Sequence, residues 1–135
     1  MKVLVTGASG FVGSALCAHL AAKSHTVRGT IRSTPRNLLP GVQYRSVSDM
    51  SIGANWSEAL ENINAVVHCA ARVHVMDESS VDPLTAFREV NVKGTACLAE
   101  QAVDSGVKRF IYISSIKVNG EATRYHPFKA EDRPA

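Results

Sequence analysis

Gly7, Gly10 and Gly13 stand three residues apart, between the apolar run Val3-Leu4-Val5 and the helix formers Ala15 to Ala22. A strand, a glycine turn and a helix in that order form a phosphate-binding device. Gly7 permits the tight turn out of the strand, Gly10 lets backbone approach a pyrophosphate, and Gly13 lets the helix pack closely on the sheet. The first-turn N–H groups and the positive end of the helix dipole then favour an anion. The spacing is Gly-x-x-Gly-x-x-Gly, not the Gly-x-Gly-x-x-Gly of the commonest dehydrogenases.

Two further places carry chemistry. The second strand ends Gly29-Thr30-Ile31-Arg32, with no acid until Asp49 and with Arg36 close behind. In a dinucleotide fold an acid at this strand end binds both ribose hydroxyls and an arginine attracts a 2′-phosphate, so the pattern leans to NADP over NAD. The two arginines also fit solvated loop charges. Ser114-Ser115 closes the fifth strand, where a hydroxyl could bond a sugar or alcohol oxygen and assist proton movement. A plain strand-end cap fits the same residues.

These groups need a scaffold. Phe11, Val12, Ala15, Leu16, His19 and Leu20 suggest the core face of a helix over residues 11 to 22. Strands are expected at Thr26 to Ile31 and Val42 to Val47, with a turn at Pro40-Gly41 between them. Trp56 to Leu60 reads as a short helix with Asn55 available as a cap. Ala65 to Ala71 is a continuous apolar run, the mark of a strand buried on both faces. Asp82-Pro83 opens a helix that could run to Asp104 and end at Ser105-Gly106. Phe110 to Ser114 is the fifth strand, and residues 119 to 135 read as loop.

Alternation of strands and helices implies a parallel, Rossmann-like, doubly wound α/β sheet of order 3-2-1-4-5 with right-handed crossovers. Its strand ends would bring Gly7 to Gly13, Arg32, Asp49-Met50, Ala70-Ala71 and Ser114-Ser115 to one crevice, at the switch point between strands one and four.

Composition narrows the partners. The chain has 135 residues, 45% apolar and 20% charged, which suits a single globular domain over 1–135. A net charge of +3, with dispersed basic residues, gives no argument for nucleic acid. No stretch is long enough to span a bilayer. Cys17, Cys69 and Cys97 lack CxxC spacing and read as reduced thiols of a cytoplasmic protein. The histidines (His19, His25, His68, His74 and His126) show no ligand spacing, so no metal is expected. His68 and His74 fall near the expected crevice but fit satisfied structural roles.

The stretches Thr6 to Gly13, Val67-His-Cys-Ala-Ala71, Asn91-Val-Lys-Gly-Thr95 and Phe110 to Glu121 resemble the extended short-chain dehydrogenase/reductases. The branch is the NAD-dependent epimerase/dehydratase family of nucleotide-sugar enzymes. The stretches Ala71 to Met76 and Ser114 to Gly120 are most similar to bacterial UDP-sugar 4-epimerases and 4-ketoreductases of surface-polysaccharide synthesis. The resemblance places Gly7, Ser9, Gly10, Phe11, Val12 and Gly13 at the pyrophosphate. It puts Arg32 beside the 2′-phosphate or adenosine ribose, and Asp49 and Met50 beside the adenine. Ala70, Ala71 and Val73 would line the nicotinamide side, Asn91 would lie under it, and Ser114 would stand near the cofactor. Ser115 would be the catalytic serine. The family often has Tyr where Asn119 stands.

The family's general acid/base is a Tyr-x-x-x-Lys pair some two dozen residues after that serine, the Lys lowering the Tyr pKa. Tyr125-His-Pro-Phe-Lys129 matches by letter only. Pro127 breaks the helix that would put the pair on one face, and the pair lies too close to Ser115. The resemblance therefore implies the front part of a larger enzyme, truncated before the last strands, the Tyr-Lys pair and the substrate-binding part. The expected activity of the whole is epimerisation at C4 of a nucleotide sugar such as UDP-glucose, with NAD or NADP as cofactor and a homodimer as the full-length assembly. The alternatives are an NADPH-dependent reductase of UDP-4-keto sugars and a non-catalytic NAD(P)-binding sensor.

Overall fold

The computed structural model describes residues 1–33, 37–47, 49–73, 82–123 and 125–135. Arg36 and His74 lie outside the described residues. Five parallel strands form one sheet of order β3-β2-β1-β4-β5: β1 Lys2–Thr6, β2 Thr26–Ile31, β3 Val42–Ser46, β4 Ala65–His68 and β5 Arg109–Tyr112. Central β1 pairs Leu4 with Arg28 on one side and with Val66 on the other. The order and the strand directions are those the sequence implies.

Helix α1 (Phe11–Ala22) connects β1 to β2, and α2 (Ser57–Leu60) precedes β4. The N-cap of α2 is Trp56, not Asn55; Asn55 stands one residue earlier and its Oδ1 accepts the Ser57 N–H at 2.9 Å. Between β4 and β5 the helix expected over 82–104 is continuous but not uniform. It runs as α3 (Pro83–Arg88), a π-helical turn (Glu89–Gly94) and α4 (Thr95–Asp104). Asp82 caps α3 by accepting the Thr85 N–H at 3.1 Å, with Pro83 in the first turn. Gly106, at φ 75°, closes α4 while Val107 N–H reaches back to the Ala102 carbonyl at 2.9 Å.

Two apolar layers cover the sheet. On one face Leu4 and Val66 pack with Trp56, Leu60, Leu98 and Ala102. On the other, Val3, Val5, Val27 and Val67 pack with Ala8 and Cys17. The core face of α1 differs from the sequence expectation. Phe11 is 94% exposed and Val12 51% exposed, and the helix turns Gly13, Leu16, Cys17, Leu20 and Ala21 toward the sheet. Only Leu16 and Leu20 belong to both sets. Gly13 sets the rotation: a Cβ there would lie 2.1 Å from the Gly7 carbonyl oxygen, so only its bare Cα fits against the loop.

Other boundaries also shift. β4 ends at His68, not Ala71, and β5 ends at Tyr112, with the Ile113 N–H still reaching the His68 carbonyl at 3.0 Å. Within 119–135, read as loop, Asn119 belongs to a single 3₁₀ turn, Ile116–Asn119. The end of the chain returns to that turn, the Ala135 N–H donating to the Val118 carbonyl at 2.8 Å.

Candidate functional site

The carboxyl ends of β1, β2 and β4 open into a crevice of about 510 Å³. Its floor is the loop from Gly7 to the start of α1. Gly7 has φ 65°, and a Cβ on it would lie 2.9 Å from the Ala70 backbone, so the loop and the β4 end touch backbone to backbone. The loop is tied to β2 through the Ala8 N–H and the Thr30 carbonyl, 3.1 Å. Among the described residues no side chain caps the N-terminus of α1, and Gly10 to Gly13 at that end line the crevice, which puts the positive end of the helix dipole beside it.

Of the residues singled out in the sequence, Gly7, Ser9, Gly10, Phe11, Val12, Gly13, Arg32, Asp49, Met50, Ala70, Ala71 and Val73 all line this crevice. Arg32 stands at the β2 end, Asp49 and Met50 follow β3, and Ala70 to Val73 follow β4. Val47, Trp56, Cys69, Arg72 and Val90 line it too and were not singled out. Trp56 is legible only through tertiary packing, because α4 places it: the Gln101 side chain accepts the Trp56 N–H at 2.9 Å and donates to the Ala54 carbonyl at 2.8 Å. Arg72 lays its guanidinium 5.3 Å from the centre of the Phe87 ring.

Asn91 and the two serines stand elsewhere. Asn91 does not line the crevice. Its side chain accepts the Arg72 N–H at 2.8 Å and donates to the Arg72 carbonyl at 3.0 Å, so it grips the crevice wall from behind. Ser114 and Ser115 line a separate depression with Ile116, Val118, Asn119, Phe128, Lys129, Ala130, Asp132 and Pro134, so one crevice does not gather all five strand ends. Ser115 Oγ accepts the Lys117 N–H at 3.2 Å and caps the 3₁₀ turn, leaving its own proton to donate. Both hydroxyls are exposed. Tyr125 is 87% exposed and no helix joins it to Lys129.

Electrostatics separate the thiols and the imidazole from the crevice chemistry. Burial pushes the Cys17 thiol up to about 11, with Cys69 adding to the shift, and burial raises Cys69 as well. Neither thiol is set up as a nucleophile. Burial lowers His68 to about 4, so it is neutral at physiological pH. Among the described residues no group of three or more His, Cys, Asp or Glu could hold a metal ion, and no helix is long and apolar enough to cross a membrane.

The doubly wound parallel sheet, with a glycine loop and a helix N-terminus at the β1–β4 switch point, defines a Rossmann-like nucleotide-binding architecture. Residues 3–135 match the model of the NAD dependent epimerase/dehydratase family, and the chain belongs to that family. It is 50% identical to a UDP-glucose 4-epimerase of Vibrio cholerae over 136 residues, which covers 99% of this chain and 41% of that protein. The structure of MoeE5 in complex with UDP-glucose and NAD is 32% identical and superposes with a TM-score of 0.76, covering 100% of this chain and 42% of that one. The UDP-glucose 4-epimerase of Thermus thermophilus in complex with NAD superposes with a TM-score of 0.80 at 25% identity, covering 100% of this chain and 44% of that one. The chain thus spans about two-fifths of the length of each.

Proposed function

We propose that residues 1–135 form the dinucleotide-holding domain of an NAD(P)-dependent nucleotide-sugar epimerase, acting at the sugar C4 of a UDP-hexose or UDP-N-acetylhexosamine. The observation that carries this reading is the glycine crevice. Gly7 and Gly13, where a Cβ would strike the Ala70 backbone and the Gly7 carbonyl oxygen, fold the loop tightly against the β4 end, and the first turn of α1, without a side-chain cap among the described residues, lines the space beside it. That shape and polarity suit a pyrophosphate. A bound dinucleotide would supply reversible hydride exchange with a sugar carbon.

The chain's own residues bind and orient. The backbone of Gly10 to Gly13 takes the pyrophosphate, and the Gly7 contact with Ala70 sets the spacing between the two walls. Asp49, Met50 and Trp56 shape the adenine end, and Ala70, Ala71 and Val73 the nicotinamide end. Ser115 and its neighbours form the nearest part of the sugar site, with the Ser115 proton donated to a sugar oxygen. The Vibrio cholerae and Thermus thermophilus relatives are more than twice as long as this chain. To their additional residues we assign the Tyr-Lys proton exchange and the rest of the sugar pocket. Arg32 in the crevice favours a second reading, an NADPH-dependent reductase of a 4-keto sugar, because its charge suits a 2′-phosphate.

Fluorescence titration of the chain with NADH and NADPH tests the assignment. Binding of either, weakened at least about tenfold in Phe11→Asp with the thermal transition retained, is the expected result, because Phe11 is exposed at the crevice and a carboxylate there opposes a pyrophosphate. A preference of about tenfold or more for NADPH would favour the reductase reading. Absence of binding to both would refute the proposal. The 135-residue chain is expected to show no turnover of UDP-glucose, and measurable turnover would return Tyr125 to consideration.

A further inference from the structure

The wall formed by residues 69–72 is held by side chains that do not line the crevice. Thr6 Oγ1 accepts the N–H groups of Cys69 at 3.2 Å and Ala70 at 3.1 Å, and it lies 2.6 Å from His68 Nδ1. His68 Nε2 lies 3.0 Å from Thr95 Oγ1, at the junction of the π-helical turn and α4. Thr6 and His68 are buried, and the Phe110 and Tyr112 rings flank the imidazole with centroids 6.1 and 5.8 Å away.

Counting donors fixes the direction of every bond. The two amide N–H groups occupy both lone pairs of the Thr6 oxygen, so its hydroxyl proton must go to His68 Nδ1. Nδ1 is then the bare nitrogen and Nε2 carries the hydrogen, which it donates to Thr95. Asn91 adds a reciprocal pair of bonds to Arg72. The amides of Cys69, Ala70 and Arg72 are therefore all committed away from the crevice. On the crevice side, the Ala70 backbone sits where a Cβ on Gly7 would be, so a shift of this wall moves it against the loop.

We infer that Thr6, His68 and Thr95 form a unidirectional hydrogen-bond relay which, together with Asn91, positions the 69–72 wall against the glycine loop for dinucleotide binding. These are positioning residues. The role in binding rests on the proposed reading of the crevice, whereas the relay itself does not.

Two measurements separate the claims. Nitrogen-15 NMR of the histidine ring in the ligand-free chain should show His68 neutral with hydrogen on Nε2. Thr95→Val should weaken NADH binding about tenfold with the thermal transition retained, and Thr95→Ser should restore it. Hydrogen on Nδ1 in the wild-type chain, or unchanged binding in Thr95→Val, would overturn the inference. The Nε2–H tautomer in a wild-type chain that binds no dinucleotide would uphold the relay and refute the function assigned to the crevice. Should Thr95→Val fail to fold, the tautomer still decides the relay, and Asn91→Ala, expected to weaken binding similarly, decides the positioning role.

Discussion

His68 shows how one residue type supports opposite readings until its partners are known. In sequence it is a histidine near a nucleotide crevice. In the fold it is buried between two threonine hydroxyls, with its charged form disfavoured by burial and its pKa lowered from 6.5 to about 4. Between these values the unfolded chain binds a proton that the folded chain refuses, so stability is full above pH 6.5 and declines as pH falls toward 4. Over that window the loss from this group is about 3 kcal/mol. Denaturant unfolding at about pH 7, 6 and 5 should show the decline, and the His68 ring resonances should titrate well below 6.5. A midpoint near 6.5 would show that the imidazole is not sealed in the core. Nothing in the local sequence identified Thr6 and Thr95 as its partners, because they lie 62 and 27 residues away along the chain.

At the scale of elements, patterns within one segment were legible and contacts between segments were not. Helix α1 and strand β2 have the bounds their residue patterns implied, Phe11–Ala22 and Thr26–Ile31. The face of α1 was misread because Phe11 and Val12 are apolar for the crevice and not for the core. Gly13 held the correct information: where a glycine allows close approach, the buried stripe must pass through it. Topology brings the ends of β1, β2 and β4 to one crevice as the sequence implied, whereas the β5 end, with Ser114 and Ser115, lies in a separate depression. The π-helical turn left no such trace. It places Asn91 behind Arg72 and Gly94 against the loop after β3, where a Cβ would lie 1.8 Å from the Met50 carbonyl oxygen. Gly94→Ala must therefore push the Met50 backbone or the helix outward. The expected cost is about 1–3 kcal/mol, read as a fall in thermal transition of several degrees, together with weaker NADH binding. An unchanged transition would mean that the helix and the Met50 loop are not in that contact.

For the molecule as a whole, the two sides of the sheet centre are unequal. β4 is buried at all four positions, whereas its neighbour β5 pairs, among the described residues, with β4 alone and leaves Ile111 and Tyr112 about half exposed. Ile113, Ile116 and Val118 extend the same exposed apolar surface. An edge strand of this kind offers unpaired backbone groups beside apolar side chains, a template for pairing with another chain. Arg109 at the start of β5 carries a charge, and the stretch Phe110 to Ile113 that follows carries none to discourage pairing. The 135-residue chain is therefore expected to self-associate as its concentration rises. Ile111→Lys should reduce that association and leave NADH binding intact, because Ile111 does not line the glycine crevice. Sedimentation velocity across a concentration series, with NADH titration alongside, reads both outcomes. A wild-type chain that stays monomeric at high concentration would show that β5 is protected by its twist or by the segment after Ser115. Association that persists unchanged in Ile111→Lys would move the contact to another surface, with exposed Phe11 and Val12 at the crevice mouth the next to test.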